Sequence, residues 1–202
     1  MTMPELTIRS RLCCGLQAFA AASLLLGGVP APAHAQQQPV RWTGNGHFYE
    51  VVAVPGGITW VEAAAAAKQR GGYLAVVNTT QENRFVWSLI AGKPQLWTTS
   101  LRQGKADAVG PWIGLVQRRH QVEEPAGGWG WVSQEPLGAV SWAPGKPNNL
   151  EEIEDYGHYF VVADSGDQAT WNDYPNDARL LKAVKAARPV AYVVEYDSDP
   201  RR

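Results

Sequence analysis

Both cysteines of the 202-residue chain, Cys13 and Cys14, lie inside the N-terminal apolar stretch LCCGLQAFAAASLLLGGV. Arg9 and Arg11 precede that stretch and Ala33-His34-Ala35 follows it. A basic start, an apolar core and a small-x-small ending are what signal peptidase reads. Residues 1–35 are therefore expected to be a cleaved signal peptide, and the protein to be secreted or periplasmic. Gly15, Gln17, Gly27 and Gly28 interrupt the apolar run, so no stable membrane span is expected from it. Cysteines at the head of the apolar segment, not behind it, also argue against a lipid anchor. The remaining chain is cysteine-free, so a fold bound for an oxidising compartment must be held by its hydrophobic core alone. A chain this long can do so as one domain burying roughly two-thirds of its unfolded surface.

Nine tryptophans serve that demand. Each suits either a core needing bulky filling or a platform on which a sugar stacks, and core packing is the commoner role. Eighteen basic and 19 acidic residues leave a net charge of −1 with no basic block, so nucleic acid is not an expected partner.

Residues 36–46 resemble a linker. HFYEVVAV, from His47 to Val54, is rich in aromatic and branched residues and stops at Pro55-Gly56-Gly57, so it is expected to be a strand. Thr59 and Glu62 form a capping box ahead of an alanine-rich helix that ends at Gly71-Gly72. Thr79 and Glu82 form a second, whose helix carries Phe85, Val86, Leu89 and Ile90 on one face before Gly92. Beyond it come short strand-like runs at Trp112–Leu115, Gly128–Ser133, Tyr156–Ala163 and Ala191–Tyr196, set among glycine, proline and polar loops. The order predicts an α+β domain built on a single antiparallel sheet, its last strand near its first. Asp177 to Pro189 reads as a short extra helix or a long loop, and 197–202 as a tail.

The stretch WAPGKPNNLEEIEDY, Trp142 to Tyr156, concentrates amides and carboxylates where proline and glycine exclude helix and central strand. Its oxygen-bearing side chains must be displayed from irregular backbone.

Taken in order, GGYLAVVNTTQENRFVW, WIGL, WGW, GKPNN, IEDY and WND resemble the C-type lectin-like domain over His47 to Tyr196, nearly all of the mature chain. The resemblance implies a double-loop fold: terminal strands paired at the base, an antiparallel sheet, two flanking helices, and a long upper loop that often carries calcium and sugar. On that reading Trp60, Leu74, Trp112, Ile113, Leu115, Trp131 and Trp171 are core residues. Ala67, Val194, Tyr156 and Asn176 stand where the family's half-cystines would be, lost as whole pairs, which looks like a coherent cysteine-free version of bacterial type. Each absent crosslink forgoes roughly 2 to 4 kcal/mol. The segment Lys93 to Gly110 is longer than the fold needs and is a candidate second contact surface.

Carried over position by position, the family's calcium ligands are Asn148 from KPN, Glu154 from EDY, and Asn172 and Asp173 from WND. Calcium takes six to eight oxygens, and amides and carboxylates both qualify. Neighbours on a regular strand face opposite ways, so Asn172 and Asp173 share an ion only where the strand breaks or one lends its carbonyl; Tyr174-Pro175-Asn176-Asp177 is the expected break. A cis bond before Pro147 would aim residues 146 and 148 together.

Lys146 departs from the pattern. An ammonium has three donors and no acceptor, so it cannot coordinate a metal. At about 4 Å and an effective dielectric near 20 it would repel a divalent ion by about 8 kcal/mol. Two outcomes stay open. Either Lys146 turns to solvent and calcium binds through Asn148, Glu154, Asn172 and Asp173, with Glu151 or Glu152 nearby. Or its ammonium sits between Glu154 and Asp173 as a built-in cation. Calcium is thus the one candidate cofactor.

An acidic run such as EEIED is more often a solvated face than a metal site, and its pairing with KPN and WND is what favours binding. His47, His120 and His158 show no zinc spacing, and His158 is expected at the sheet surface. No nucleophile elbow, phosphate loop or dinucleotide fingerprint is present, so an enzyme is not expected. The sequence thus reads as an exported C-type lectin-like protein that binds carbohydrate or a cell-surface glycan through Lys146, Asn148, Glu154, Asn172 and Asp173. The alternative is metal-independent recognition of a protein or surface on the same fold.

Overall fold

Pro55 and the two glycines behind it cannot continue a ladder, and the first long strand stops at Ala53. The computed structural model describes residues 38–118, 123–166 and 168–202; the expected signal peptide and His120 lie outside these residues. In chain order the elements are β1 (Val40–Arg41), β2 (Phe48–Ala53), α1 (Trp60–Gln69), β3 (Tyr73–Leu74), α2 (Thr80–Ile90), β4 (Thr98–Arg102), β5 (Lys105–Gln117), β6 (Trp129–Trp131), β7 (Tyr156–Val161), β8 (Trp171–Tyr174) and β9 (Ala191–Tyr196). β1 pairs with β2, so strand structure begins within the stretch read as a linker.

Both helices start where their caps predict. Thr59 and Glu62 form a complete reciprocal box. At the second helix only half of the box is made: Thr79 accepts the Glu82 N–H, but the Glu82 carboxylate turns away to accept the Asn78 N–H at 2.7 Å and the Tyr49 hydroxyl at 2.6 Å. Tertiary partners outcompete the local one because Glu82 is buried and must satisfy both oxygens.

The sheet runs β1-β2-β9-β5-β7-β8, with β3 on β9 and both β4 and β6 on β5. β2 and β9 pair over six residues, Phe48 opposite Tyr196 through Ala53 opposite Ala191, which closes the chain ends on each other. Among the described residues the strands pair antiparallel except β5 with β9, joined by a parallel bridge from Trp112 to Tyr192; a further parallel bridge, Trp142 to Trp171, ties a loop residue to β8. The β5–β9 exception to the all-antiparallel expectation is short because β5 is irregular there: its register against β7 shifts on both sides of Trp112, next to Pro111, which has no N–H to give.

Side chains alternate along β9, and the core divides accordingly. Val193 packs with Tyr49, Val86, Ile90, Ile113 and Trp171; Tyr192 and Val194 pack with Trp60, Ala67, Leu74, Trp112 and Phe160 on the other side. All seven expected core residues are buried. Ala67 and Val194 sit in the same cluster, Tyr156 packs its ring 4.6 Å from Trp60, and Asn176 accepts the Val61 N–H, so packing and hydrogen bonds stand where crosslinks would.

Besides the two-residue β1 and β3, the strands β4 and β8 are not legible in the sequence. β4 turns back on β5 through Gln103 and Gly104, both at positive φ, which is how a two-residue hairpin turn matches strand twist. It absorbs much of the Lys93–Gly110 segment. β8 is WNDY itself, a regular strand paired with β7, and it breaks at Pro175, within the expected Tyr174–Asp177 stretch, so Asn172 and Asp173 both lie on regular strand. Asp177 to Pro189 forms one 3-10 turn at Ala178–Leu180 and otherwise irregular chain, the longer-loop alternative.

Candidate functional site

The site is built where β8 meets the Trp142–Tyr156 loop. Ala143 donates its N–H to the Trp171 carbonyl at 2.8 Å, which ties the loop's start to β8. The Lys146–Pro147 peptide is cis, and Asn149, Glu151 and Glu152 have positive φ. Non-glycine residues hold a positive φ only when their surroundings over-determine it. Around Asn149 buried carboxylates do so. Asp173 Oδ2 accepts the backbone N–H groups of Asn148 at 2.8 Å and Asn149 at 2.6 Å. Glu154 Oε2 accepts that of Leu150 at 2.8 Å, and Asn149 Oδ1 accepts the Glu154 N–H at 3.1 Å.

Glu154, Asn172 and Asp173 are 1 %, 2 % and 0 % exposed. Burial pushes the Glu154 carboxyl up to about 8, with the Asp173 charge adding and Lys146 opposing. Asp173 is raised as well, again by burial, against the pull of the Asn149 amide and Lys146. Lys146 is half-buried. Its ammonium donates to Asn148 Oδ1 and lies 5.5 Å from the centre of the Phe160 ring. Among the described residues it makes no ion pair within 4 Å, so it sits neither in open solvent nor directly between the two carboxylates. Its charge nonetheless acts on Glu154, Asp173 and His158.

Because β8 is regular, Asn172 and Asp173 face opposite ways. Asp173 points to the loop amides, while Asn172 donates to His158 Nε2 at 3.1 Å. His158 is not at the sheet surface: it is fully buried among Trp112, Phe160 and Tyr174, and burial drives its imidazole down to about 3. Asn172 also lines a cavity of about 30 Å³ together with Lys146, Glu154 and Phe160. Asn172 Oδ1 and Asp173 Oδ1 are buried with no hydrogen-bond partner among the described residues. All five residues singled out in the sequence therefore converge on one region, but the two asparagines and two acids do not aim at a single point.

With that geometry in place, the sequence signature of the Lectin C-type domain matches residues 57–182. The chain belongs to the C-type lectin domain family. It is 28 % identical over 172 residues to a perlucin-like protein of Mytilus galloprovincialis, covering 85 % of this chain and 92 % of that one. Human lithostathine shares its fold with a TM-score of 0.54 at 19 % identity, over 79 % of this chain and 97 % of that one. A calcium-independent type II antifreeze protein does so with a TM-score of 0.50 at 21 % identity, over 81 % and 97 %. Family and fold are those of binding domains, and among the described residues no helix is long and apolar enough to cross a membrane.

The family's calcium does not fit this C-type lectin domain well. Of the donors expected, Asn148 Oδ1 holds an ammonium, Asp173 Oδ2 holds two amides, and Glu154 is pushed toward its protonated form. A hard cation needs six to eight oxygens, and those left free beside Lys146 are too few. Among the described residues no group of three or more His, Asp or Glu is arranged to hold a metal.

The lectin core also depends on residues that no sequence motif singles out. Asn83 Oδ1 accepts the Tyr159 hydroxyl at 2.8 Å and the Trp171 indole N–H at 3.1 Å. Asn78 Oδ1 accepts the Trp131 indole at 2.6 Å and the Gly138 N–H at 2.9 Å. A signal for them exists: buried tryptophans need acceptors, and two asparagines flank the start of α2. Glu151, read from sequence as merely exposed, accepts the N–H groups of Lys182 at 2.7 Å and Ala183 at 2.5 Å.

Proposed function

We propose that this C-type lectin domain is an exported recognition module that binds carbohydrate without calcium, using the rim of the Pro144–Asp155 loop, with the Lys146 charge standing in for the ion. One observation carries the reading: the carboxylates that would hold the ion are turned onto the loop's own backbone, Asp173 onto Asn148 and Asn149 and Glu154 onto Leu150. The loop is thereby shaped from within. Lys146 and Asn148 then offer donors and an acceptor to sugar hydroxyls at the rim. A calcium-independent antifreeze protein on the same fold is consistent with a loop that needs no ion. Export is inferred from the apolar N-terminal stretch.

Calorimetric titration with calcium, followed by glycan-array binding with and without chelator, tests this. No calcium heat and glycan signals indifferent to chelator are expected. Chelator-sensitive signals would overturn the calcium-free reading, and an empty array would turn it toward protein or surface recognition. A second reading, calcium-dependent sugar binding, is favoured by one feature, the unpartnered buried Asn172 Oδ1 and Asp173 Oδ1, which a cation could engage if Lys146 moved aside.

A further inference from the structure

The segment between β8 and β9 lies over the site, and its attachments are unlike those of an ordinary surface loop. Leu181 and Val184 form one wall of the cavity whose other walls include Lys146, Glu154 and Asn172. Leu181 is buried, whereas Leu180 beside it is 59 % exposed, so the chain commits one leucine to the cavity and leaves its neighbour in water. The segment is anchored at both ends. Asp177 holds Arg188 at 2.6 Å, eleven positions along the chain, closing the loop on itself, and Lys185 exchanges backbone hydrogen bonds with Leu101 at 2.9 and 3.3 Å. Its middle is held differently, by one carboxylate of the opposing loop: Glu151 Oε1 accepts two successive amides, those of Lys182 and Ala183.

We propose that residues 177–189 form a lid over the Lys146 site and that Glu151 is its latch. This rests on the reading of that site as the domain's binding site and adds its regulation. With the lid down, Glu154 and Asn172 are shut away, Lys146 is half covered beside Leu181 and Val184, and a ligand reaches only the outer rim around it and Asn148. Lifting the middle of the lid exposes the cavity while Asp177–Arg188 and the Leu101–Lys185 bridge hold the hinges. Ala178 and Pro189 are buried at the two ends, while the middle is held by Leu181, the partly buried Val184 and the latch carboxylate, so few contacts set its local opening. Glu151 itself sits in a left-handed conformation, φ 56°, which directs its side chain at the lid instead of along its own turn.

The test is hydrogen exchange with acetic anhydride labelling of Lys146 on the full domain. Glu151→Ala, which removes the acceptor, is expected to speed exchange of the Lys182 and Ala183 amides at least tenfold and to raise Lys146 acetylation severalfold. Glu151→Gln keeps an oxygen acceptor and should restore most of the protection. Leu181→Ala, which loosens the lid without touching the latch, should act in the same direction as Glu151→Ala. Unchanged Lys146 labelling in both alanine variants would overturn the lid, as would faster exchange spread evenly over β2, β5 and β9, the sign of global loosening. Calcium heat in the unmodified protein would sink the calcium-free reading of the site yet leave these footprints as expected, so the two can fail separately.

Discussion

Asn149 donates its backbone N–H to Asp173 Oδ2 at 2.6 Å, across 24 residues of chain. That bond, with its twin from Asn148, makes Asp173 a structural residue of the loop whatever ligand the domain takes. Asp173→Ala is expected to cost roughly 2–3 kcal/mol, since a charged acceptor is removed from two amides in a buried setting. Asp173→Asn, which keeps one oxygen, should cost less. Urea unfolding with calcium and with chelator measures it, and a loss that appears only when calcium is present would contradict the structural role.

Lys146 decides the ion chemistry. Lys146→Glu replaces a repulsion of about 8 kcal/mol with an attraction and supplies the missing oxygen. Calcium titration should give no heat for the unmodified domain and measurable binding for this variant. If the variant is equally silent, the remaining oxygens are not placed to share an ion.

Glu154 gives a pH dependence of defined sign. Its folded-state pKa of about 8 stands above the ordinary 4.5, so the folded protein keeps a proton that the unfolded chain has lost. Its contribution to stability is therefore fully favourable below about pH 4.5, declines as pH rises, and is exhausted above about pH 8. Glu154→Gln removes the proton while keeping an acceptor for Leu150. Relative to this variant, the unmodified domain should lose up to about 1.4 kcal/mol per pH unit across that window. A pH-independent difference in denaturant unfolding between pH 5 and 8 would show that burial does not govern this carboxyl.

Asn83 is buried and serves Tyr159, Trp171, Ser141 and the Ala169 carbonyl at once. Asn83→Ala strands two core donors and leaves a void, so a loss of about 3–5 kcal/mol is expected, or failure to fold. Asn83→Asp keeps the acceptor but not the donors and should fall between. A thermal midpoint shift of less than about 3 °C in Asn83→Ala would mean Tyr159 and Trp171 find other partners.

The strands β2 and β9, both helices and the buried tryptophans are legible in the sequence because their signals are local. Thr59 and Thr79 cap the helices that begin beside them, Pro55 and Gly92 end the strand and helix that reach them, and alternation or helical spacing marks which side is apolar. β4 and β8 are not legible in this way. Thr98–Arg102 is polar along most of its length and becomes a strand only because β5 offers it a partner. WND carries a polar pair that suggests ligands and not a strand, whereas its backbone pairs regularly with β7. His158 is misplaced for the same reason: nothing near it in sequence reveals that Trp112 and Tyr174 will enclose it.

The sequence by itself determined the family, both helices, the strands β2 and β9, and the five residues that come together beside the Trp142–Tyr156 loop, since caps, turns and motif spacing act over a few residues. Only the tertiary structure decided what those five do. The direction of a buried carboxylate depends on which distant amides need it, and here Asp173 and Glu154 answer to the loop that covers them. The closing of Leu181 over Lys146 and the turning of Glu151 toward Lys182 likewise come from long-range approach, whose outcome depends on burial and competition among partners far apart in the chain.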